Sequence, residues 1–296
     1  MTERHPVIFL GAGPGDPELI TVKGQRALAQ ADVVFYAGSL VPPALLSWAP
    51  SQAELIDTAP LNLGQIVAGI IRDHRAGKRV VRLHSGDTTL FSAIQEQLEI
   101  LEREAIPCRV IPGVTAASAA AAALARELTL PEVTQTVILT RGAGRTPVPA
   151  HEALGELAKH AATMVIYLSI GLIDQVVAEL TPSYGAEAQV VVAHRVSWPD
   201  QLIIRGTLAD IAGRVRQAGI QRQALILVGP ALADRPEGLK AHSKLYDQGF
   251  DHGFRSGNSD YGGGPHPPGR LAGPGNQPGP ARGPLLAGPG PGRGGS

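Results

Sequence analysis

The chain has 296 residues, 44% of them hydrophobic, and its 26 Lys and Arg balance 26 Asp and Glu. That length supports two modest domains, and a neutral balance excludes a global field for nucleic acid or membrane, so charge recognition must be local. The only cysteine, Cys108, excludes an internal disulfide and a thiolate metal cluster and suits a reducing cytoplasm.

Residues 1–6, with Glu3, Arg4 and His5, lack the apolar segment of a signal peptide. The longest apolar run, 114–125, is too short and alanine-rich to span a bilayer, so a soluble protein is expected. In chain order, a strand at Val7 to Leu10 feeds a glycine loop, and a helical pattern follows from Thr21 to Gln30. Further short branched runs at Val33 to Tyr36, Arg79 to Leu83 and Cys108 to Ile111 alternate with helical patterns, which predicts a mostly parallel sheet. Residues 127–135 leave the helical pattern at Pro131 and mark a domain boundary.

A second series runs through Val137 to Thr140, Met164 to Leu168, Val190 to Ala193, Leu202 to Arg205 and Leu225 to Val228. The pair around Trp198-Pro199-Asp200 is too close for a crossover helix and predicts a hairpin, making this sheet mixed. The expected organisation is an α/β domain over 1–130, a second over 131–255, an active-site cleft between them, and a disordered Gly/Pro-rich tail over 256–296. From Tyr261 to Ser296 the chain holds 13 Gly and 9 Pro in 36 residues, too few apolar groups to bury a core. Arg270, Arg282 and Arg293 in that tail offer a weak RNA-binding reading, but no aromatic residue after Tyr261 offers a platform for base stacking; a flexible appendage is the plainer one.

Gly11-Ala12-Gly13-Pro14-Gly15-Asp16-Pro17 sits between strand and helix as a dinucleotide loop does, but Asp16 stands where that loop needs its last glycine. A carboxylate there repels phosphate, and the second strand runs into Ala37-Gly38-Ser39 rather than an acid for a ribose hydroxyl. Both departures point to a nucleoside cofactor without phosphates. Open parallel sheets bind ligands at the carboxyl ends of their strands. Three more such ends are unusual: His84-Ser85-Gly86-Asp87-Thr88, Pro112-Gly113-Val114-Thr115-Ala116-Ala117-Ser118, and Thr140-Arg141-Gly142-Ala143-Gly144-Arg145-Thr146-Pro147. Asp87 also reads as the cap of a helix starting near Leu90, and the small residues after Gly113 as tight helix packing. His84, Arg141, Arg145, His194 and Arg195 recur at these ends, which predicts a carboxylate-rich ligand. No Walker lysine loop, His-Glu-x-x-His or Gly-x-Ser-x-Gly is present, and no metal site is expected. A reaction whose electrophile arrives with a cofactor and whose nucleophile belongs to the substrate needs positioning more than a reactive side chain.

Taken together, the glycine loop with Leu19-Ile20-Thr21-Val22-Lys23-Gly24, then Ser85-Gly86-Asp87, Pro112-Gly113-Val114-Thr115 and Gly206-Thr207-Leu208 resemble the tetrapyrrole methyltransferase family over residues 6 to 255. Leu130-Pro131, the run 134–141, Gly144-Arg145-Thr146-Pro147-Val148-Pro149, Ser197-Trp198-Pro199-Asp200, and the late 243–247 and 252–255 look like the branch that methylates precorrin-4 at carbon 11 to give precorrin-5. The resemblance implies two α/β domains, S-adenosyl-L-methionine as methyl donor, a tetrapyrrole substrate, a cytoplasmic homodimer, and no nucleic-acid or membrane partner. It places Pro14, Gly86, Asp87, Leu90, Thr115, Ala116 and Leu168 around the donor. Leu168 stands where relatives often have Met, and Thr88 where many have Pro. Arg141 and Arg145 are the expected grip on acetate and propionate groups; the general base is unassigned. Alternatives are the cobalt-loaded substrate, a sister enzyme acting on another precorrin or uroporphyrinogen carbon, an NAD-dependent oxidoreductase, and a non-catalytic tetrapyrrole carrier.

Overall fold

The computed structural model describes residues 5–235, 238–239, 243–247 and 249–251. The first sheet is built from β1 (Val7–Gly11), β2 (Val33–Tyr36), β3 (Glu54–Asp57), β4 (Val80–His84) and β5 (Cys108–Ile111). Its order is β3-β2-β4-β1-β5, and every pairing in it is parallel. The helices between these strands are α1 (Val22–Leu28), α2 (Pro43–Leu46), α3 (Leu63–Arg75) and α4 (Ile94–Arg103). Both faces are covered: Phe9, Phe35 and Val80 pack with Ile70 of α3 and Leu101 of α4, while Leu10, Val34 and Leu83 pack with Leu28 of α1 and Leu45 of α2. Burial on both sides is why β1 and β2 read as apolar runs, while β4 buries Arg82 and His84 among its apolar residues. The edge strands are more open: β5 exposes Arg109, and β3 exposes Glu54, Leu55 and Asp57, so sequence periodicity missed β3.

The neighbours β1 and β4 feed helices on opposite faces, α1 and α4, so their loops diverge at the carboxyl edge and leave a switch point there. α1 starts where expected, with the Thr21 hydroxyl accepting the Gly24 amide at 3.0 Å. The helix expected near Leu90 starts only at Ile94, because Phe91 and Ala93 adopt left-handed backbone, φ 55° and 47°, which breaks the helical ladder.

The second sheet contains β6 (Val137–Arg141), β7 (Thr163–Tyr167), β8 (Gln189–His194), β9 (Leu202–Thr207) and β10 (Ala224–Val228), ordered β6-β7-β10-β8-β9. β6 and β7 are parallel and the other pairs antiparallel, so the sheet is mixed. β8 and β9 form the expected hairpin, closing with His194 opposite Leu202. One face packs on α6 (Leu154–Ala158), α7 (Ile173–Tyr184) and α8 (Ile211–Gln217). The other face is covered by α5 (Ala116–Ala123), which leaves the end of β5 in the first sheet and buries Ala117, Ala119 and Ala120 against Val165, Val191 and Leu225 of the second. An all-alanine surface lets helix and sheet approach closely, and this helix ties the two sheets together. Separately, Lys244–Tyr246 form a single turn of 3-10 helix. The motif 252–255 and the Gly/Pro segment 256–296 lie outside the described residues.

At the carboxyl edge of the first sheet, a Cβ on Gly113 would stand 2.2 Å from the Gly86 carbonyl oxygen and 2.9 Å from the Gly11 Cα. Backbone atoms cannot yield as a side chain can, so Gly113→Ala should lower stability by about 3 kcal/mol, read from urea denaturation midpoints.

Candidate active site

Three of the loops at the carboxyl edge of the first sheet, those after β1, β4 and β5, are joined by hydrogen bonds. Gly13 and Gly86 exchange both amide-to-carbonyl bonds, at 3.1 and 2.7 Å, and the Ala12 amide donates to the His84 carbonyl at 2.7 Å. Asp87 then stitches on the third loop: one carboxylate oxygen accepts the Gly113 amide at 2.7 Å, and the other accepts the Thr89 amide and hydroxyl. Burial works against the Asp87 charge, but the bonds from Thr89 and Gly113 outweigh it and hold the carboxyl below its ordinary value. Asp87 is therefore an anion that crosslinks loops, and not the cap of α4. Gly86 has φ +64°, and a Cβ there would meet open space, so this residue alone of the knot turns an unfilled side outward.

The second sheet closes on these loops from β7. The Tyr167 hydroxyl lies 2.6 Å from the Thr115 hydroxyl and accepts the Ala117 amide at 3.2 Å, while its ring rests against Phe91 with centroids 5.1 Å apart. Burial raises the Tyr167 phenol, so it stays protonated. The next residue, Leu168, turns left-handed at φ 55° and is 72% exposed. The turn thus holds an apolar side chain in the open at the cost of backbone strain. The buried Ser169 fixes the turn, donating to the Tyr167 carbonyl at 2.7 Å and accepting the Gly142 amide at 2.8 Å. Of the expected donor residues, Gly86, Asp87, Thr115, Ala116 and Leu168 thus gather about one seam, with the half-buried Leu90 in the loop that carries Phe91. Pro14 joins from the other side, its carbonyl accepting the Trp198 indole N–H at 3.0 Å. Asp16 caps the turn after the glycine loop through the Glu18 amide at 2.9 Å. Tyr167 and Phe91 were missed: an aromatic residue at a strand end and one in a loop carry no spacing signal.

The row of cations expected at this edge is corrected by the structure. His84 is buried against Phe9, and burial together with the neighbouring Arg82 charge pushes its pKa down to about 3, leaving it neutral. Burial and Arg195 likewise lower His194. Arg195 is bound to Asp200 at 2.8 Å and lies over the Trp198 ring at 4.0 Å. Arg141 folds back onto the carbonyls of Thr146 and Pro147 at 3.0 and 2.8 Å and holds its own loop. Arg145 is exposed at the crest of that loop and, among the described residues, forms no ion pair. The loop after β2, which has no acid of its own, is tied to the end of β3 by Asp57, whose carboxylate accepts the amides of Gly38 and Ala59, each at 2.9 Å. Among the described residues no group of three His, Cys, Asp or Glu side chains could hold a metal, and no helix is long and apolar enough to cross a membrane.

Glycine-knotted loops at the edge of a parallel sheet, facing an apolar turn of a mixed sheet, make this a two-sheet α/β protein of the tetrapyrrole-methylase class: the sequence profile of the Tetrapyrrole (Corrin/Porphyrin) Methylases matches residues 6–212, and the chain belongs to that family. It is an S-adenosylmethionine-dependent methyltransferase, which sets aside the dehydrogenase alternative. Among its relatives, the precorrin-4 C(11)-methyltransferase of Pseudomonas aeruginosa is 52% identical over 251 residues, covering 85% of this chain and 99% of that one. The cobalt-precorrin-4 C(11)-methyltransferase of Methanocaldococcus jannaschii is 47% identical over 262 residues, covering 88% and 100%. The X-ray structure of a cobalamin biosynthetic enzyme, cobalt precorrin-4 methyltransferase, superposes with a TM-score of 0.75 at 46% identity, covering 77% of this chain and 96% of that one. Uroporphyrin-III C-methyltransferase from Thermus thermophilus, complexed with S-adenosylhomocysteine, gives 0.64 at 28% identity, covering 77% and 93%.

Neutral burial of His84 has a consequence in acid. Its folded pKa lies below the unfolded 6.5, so the unfolded chain takes up a proton that the folded one refuses. The stability held above pH about 6.5 should fall by up to ~1.4 kcal/mol per pH unit towards pH about 3. His84→Gln should flatten that limb, as measured by denaturation between pH 6.5 and 4.5.

Proposed function

We propose that the chain transfers the methyl group of S-adenosylmethionine to carbon 11 of precorrin-4, giving precorrin-5 in cobalamin biosynthesis. The observation that carries the substrate is the near end-to-end match to relatives named for that reaction. The donor supplies an electrophilic sulfonium methyl, and an electron-rich ring carbon takes it as the carbon–sulfur bond breaks, releasing S-adenosylhomocysteine.

The work of the protein is alignment. Backbone at Pro14, Gly86, Thr115 and Ala116, with Leu90 and Leu168, forms the donor cradle. Its character suits a nucleoside: the open side of Gly86 and the exposed apolar Leu168 and Phe91. The Asp87 anion nearby favours a positive sulfur. The substrate enters between the sheets, where Arg145 grips acetate or propionate groups and Arg141 stiffens the loop that presents it. A cytoplasmic homodimer accompanies this reading; the lone thiol of Cys108 suits a reducing compartment, and light scattering reads the mass.

Incubation with methyl-labelled donor and a panel of precorrins, with and without cobalt, should place the label at carbon 11 of the precorrin-4 macrocycle; a label at another carbon overturns the assignment. Arg145→Ala should raise the tetrapyrrole KM about tenfold and leave affinity for S-adenosylhomocysteine within twofold. Arg141→Ala should raise the same KM less, because it acts through the loop, and equal loss of donor affinity in either variant would count against the grip.

A further inference from the structure

The turn between β8 and β9 is built against the first glycine loop far more specifically than packing demands. The Trp198 indole N–H donates to the Pro14 carbonyl at 3.0 Å, and the Ser197 hydroxyl accepts the Asp16 amide at 2.9 Å. These two bonds grasp the peptide units on either side of Gly15, across more than 180 positions of sequence. Gly15 fits between them because it lacks a side chain: a Cβ there would lie 2.2 Å from the indole Cδ1. The indole is itself immobilised. The Arg195 guanidinium lies 4.0 Å from its ring centroid and is held by Asp200 at 2.8 Å and by Gln223, beside β10, at 3.0 Å. Arg195 and Ser197 accept left-handed backbone, φ 44° and 66°, to make this arrangement, a cost that persists only where surroundings overdetermine the conformation.

We infer that Trp198 is a positioning residue for methyl transfer, which acts by fixing the Pro14-Gly15-Asp16 segment of the donor cradle from the second sheet. The inference rests on the proposed placement of the donor against that loop. At its other end the loop is already fixed by the paired bonds of Gly13 and Gly86. With both ends held, the peptide planes facing the donor are set before it arrives, and no binding energy goes into ordering them. An indole that served only to fill space would need neither its N–H aimed at a loop carbonyl nor a hydroxyl on the following amide. The contact also joins the two halves of the active site, since the turn that orients the donor loop belongs to the sheet that carries the proposed substrate grip.

Trp198→Phe keeps the ring and removes the N–H, and Ser197→Ala removes the second bond independently. Each variant of the full chain should bind S-adenosylhomocysteine about fivefold more weakly by calorimetry and show a matching rise in the KM for S-adenosylmethionine. The tetrapyrrole KM should stay within twofold, and thermal midpoints should remain close to that of the parent protein. Wild-type product affinity and donor KM in both folded variants would overturn the inference, as would an equal rise in both KM values with a lowered midpoint, which marks a merely structural turn. Should Trp198→Phe fail to fold, Ser197→Ala decides by the same two readings. If the parent protein itself does not bind S-adenosylhomocysteine, the donor reading falls and takes this inference with it, whereas parent binding with unchanged variants removes the inference alone.

Discussion

The carboxylate of Asp87 on the amide of Gly113, together with the paired bonds of Gly13 and Gly86, is the constraint on which the site depends. Loops at the end of a parallel sheet are otherwise independent, each free to follow its own helix. Here three of them form one backbone surface because glycines allow main chain to touch main chain and one charged side chain satisfies the amides that result. The cost of half-burying a carboxylate is offset by three donors, and the charge survives.

The second sheet completes what the first begins. Tyr167 reaches the third loop and, through Phe91, the second; Trp198 reaches the first. Each of the three joined loops is thus braced from across the seam, and the non-glycine residues with left-handed backbone at the seam, Phe91, Ala93, Leu168, Arg195 and Ser197, lie where that bracing is made. Such rigidity is what the proposed alignment of donor and ring carbon would draw on.

Much of this was legible in the residues. Apolar runs such as 33–36 and 224–228 marked strands because both faces of each sheet are buried, and the short interval around Trp198 marked the hairpin because no helix fits in it. The glycine loop announced a phosphate-free ligand through Asp16, whose carboxylate and amide are now seen committed to Glu18 and Ser197. What stayed hidden depends on tertiary neighbours. β3 is an exposed edge with charged ends, so it carries no apolar signature. His84 looked cationic, yet burial beside Arg82 strips its proton, and Arg195 looked free, yet it is spent on an indole and an aspartate. Tyr167 became visible only when a strand end of one sheet met a helix start from the other.

The methyl-only face of α5 sets the distance between the two sheets. Ala117, Ala119 and Ala120 give the helix that follows β5 the thinnest possible face towards the second sheet. A helix seated this way resists hinge-like gaping, because any swing would first have to peel it from Val165 and Val191. The spacing between the end of β5 and the second sheet is therefore a fixed property of the frame, set by the smallest side chain that can still form a buried helix face.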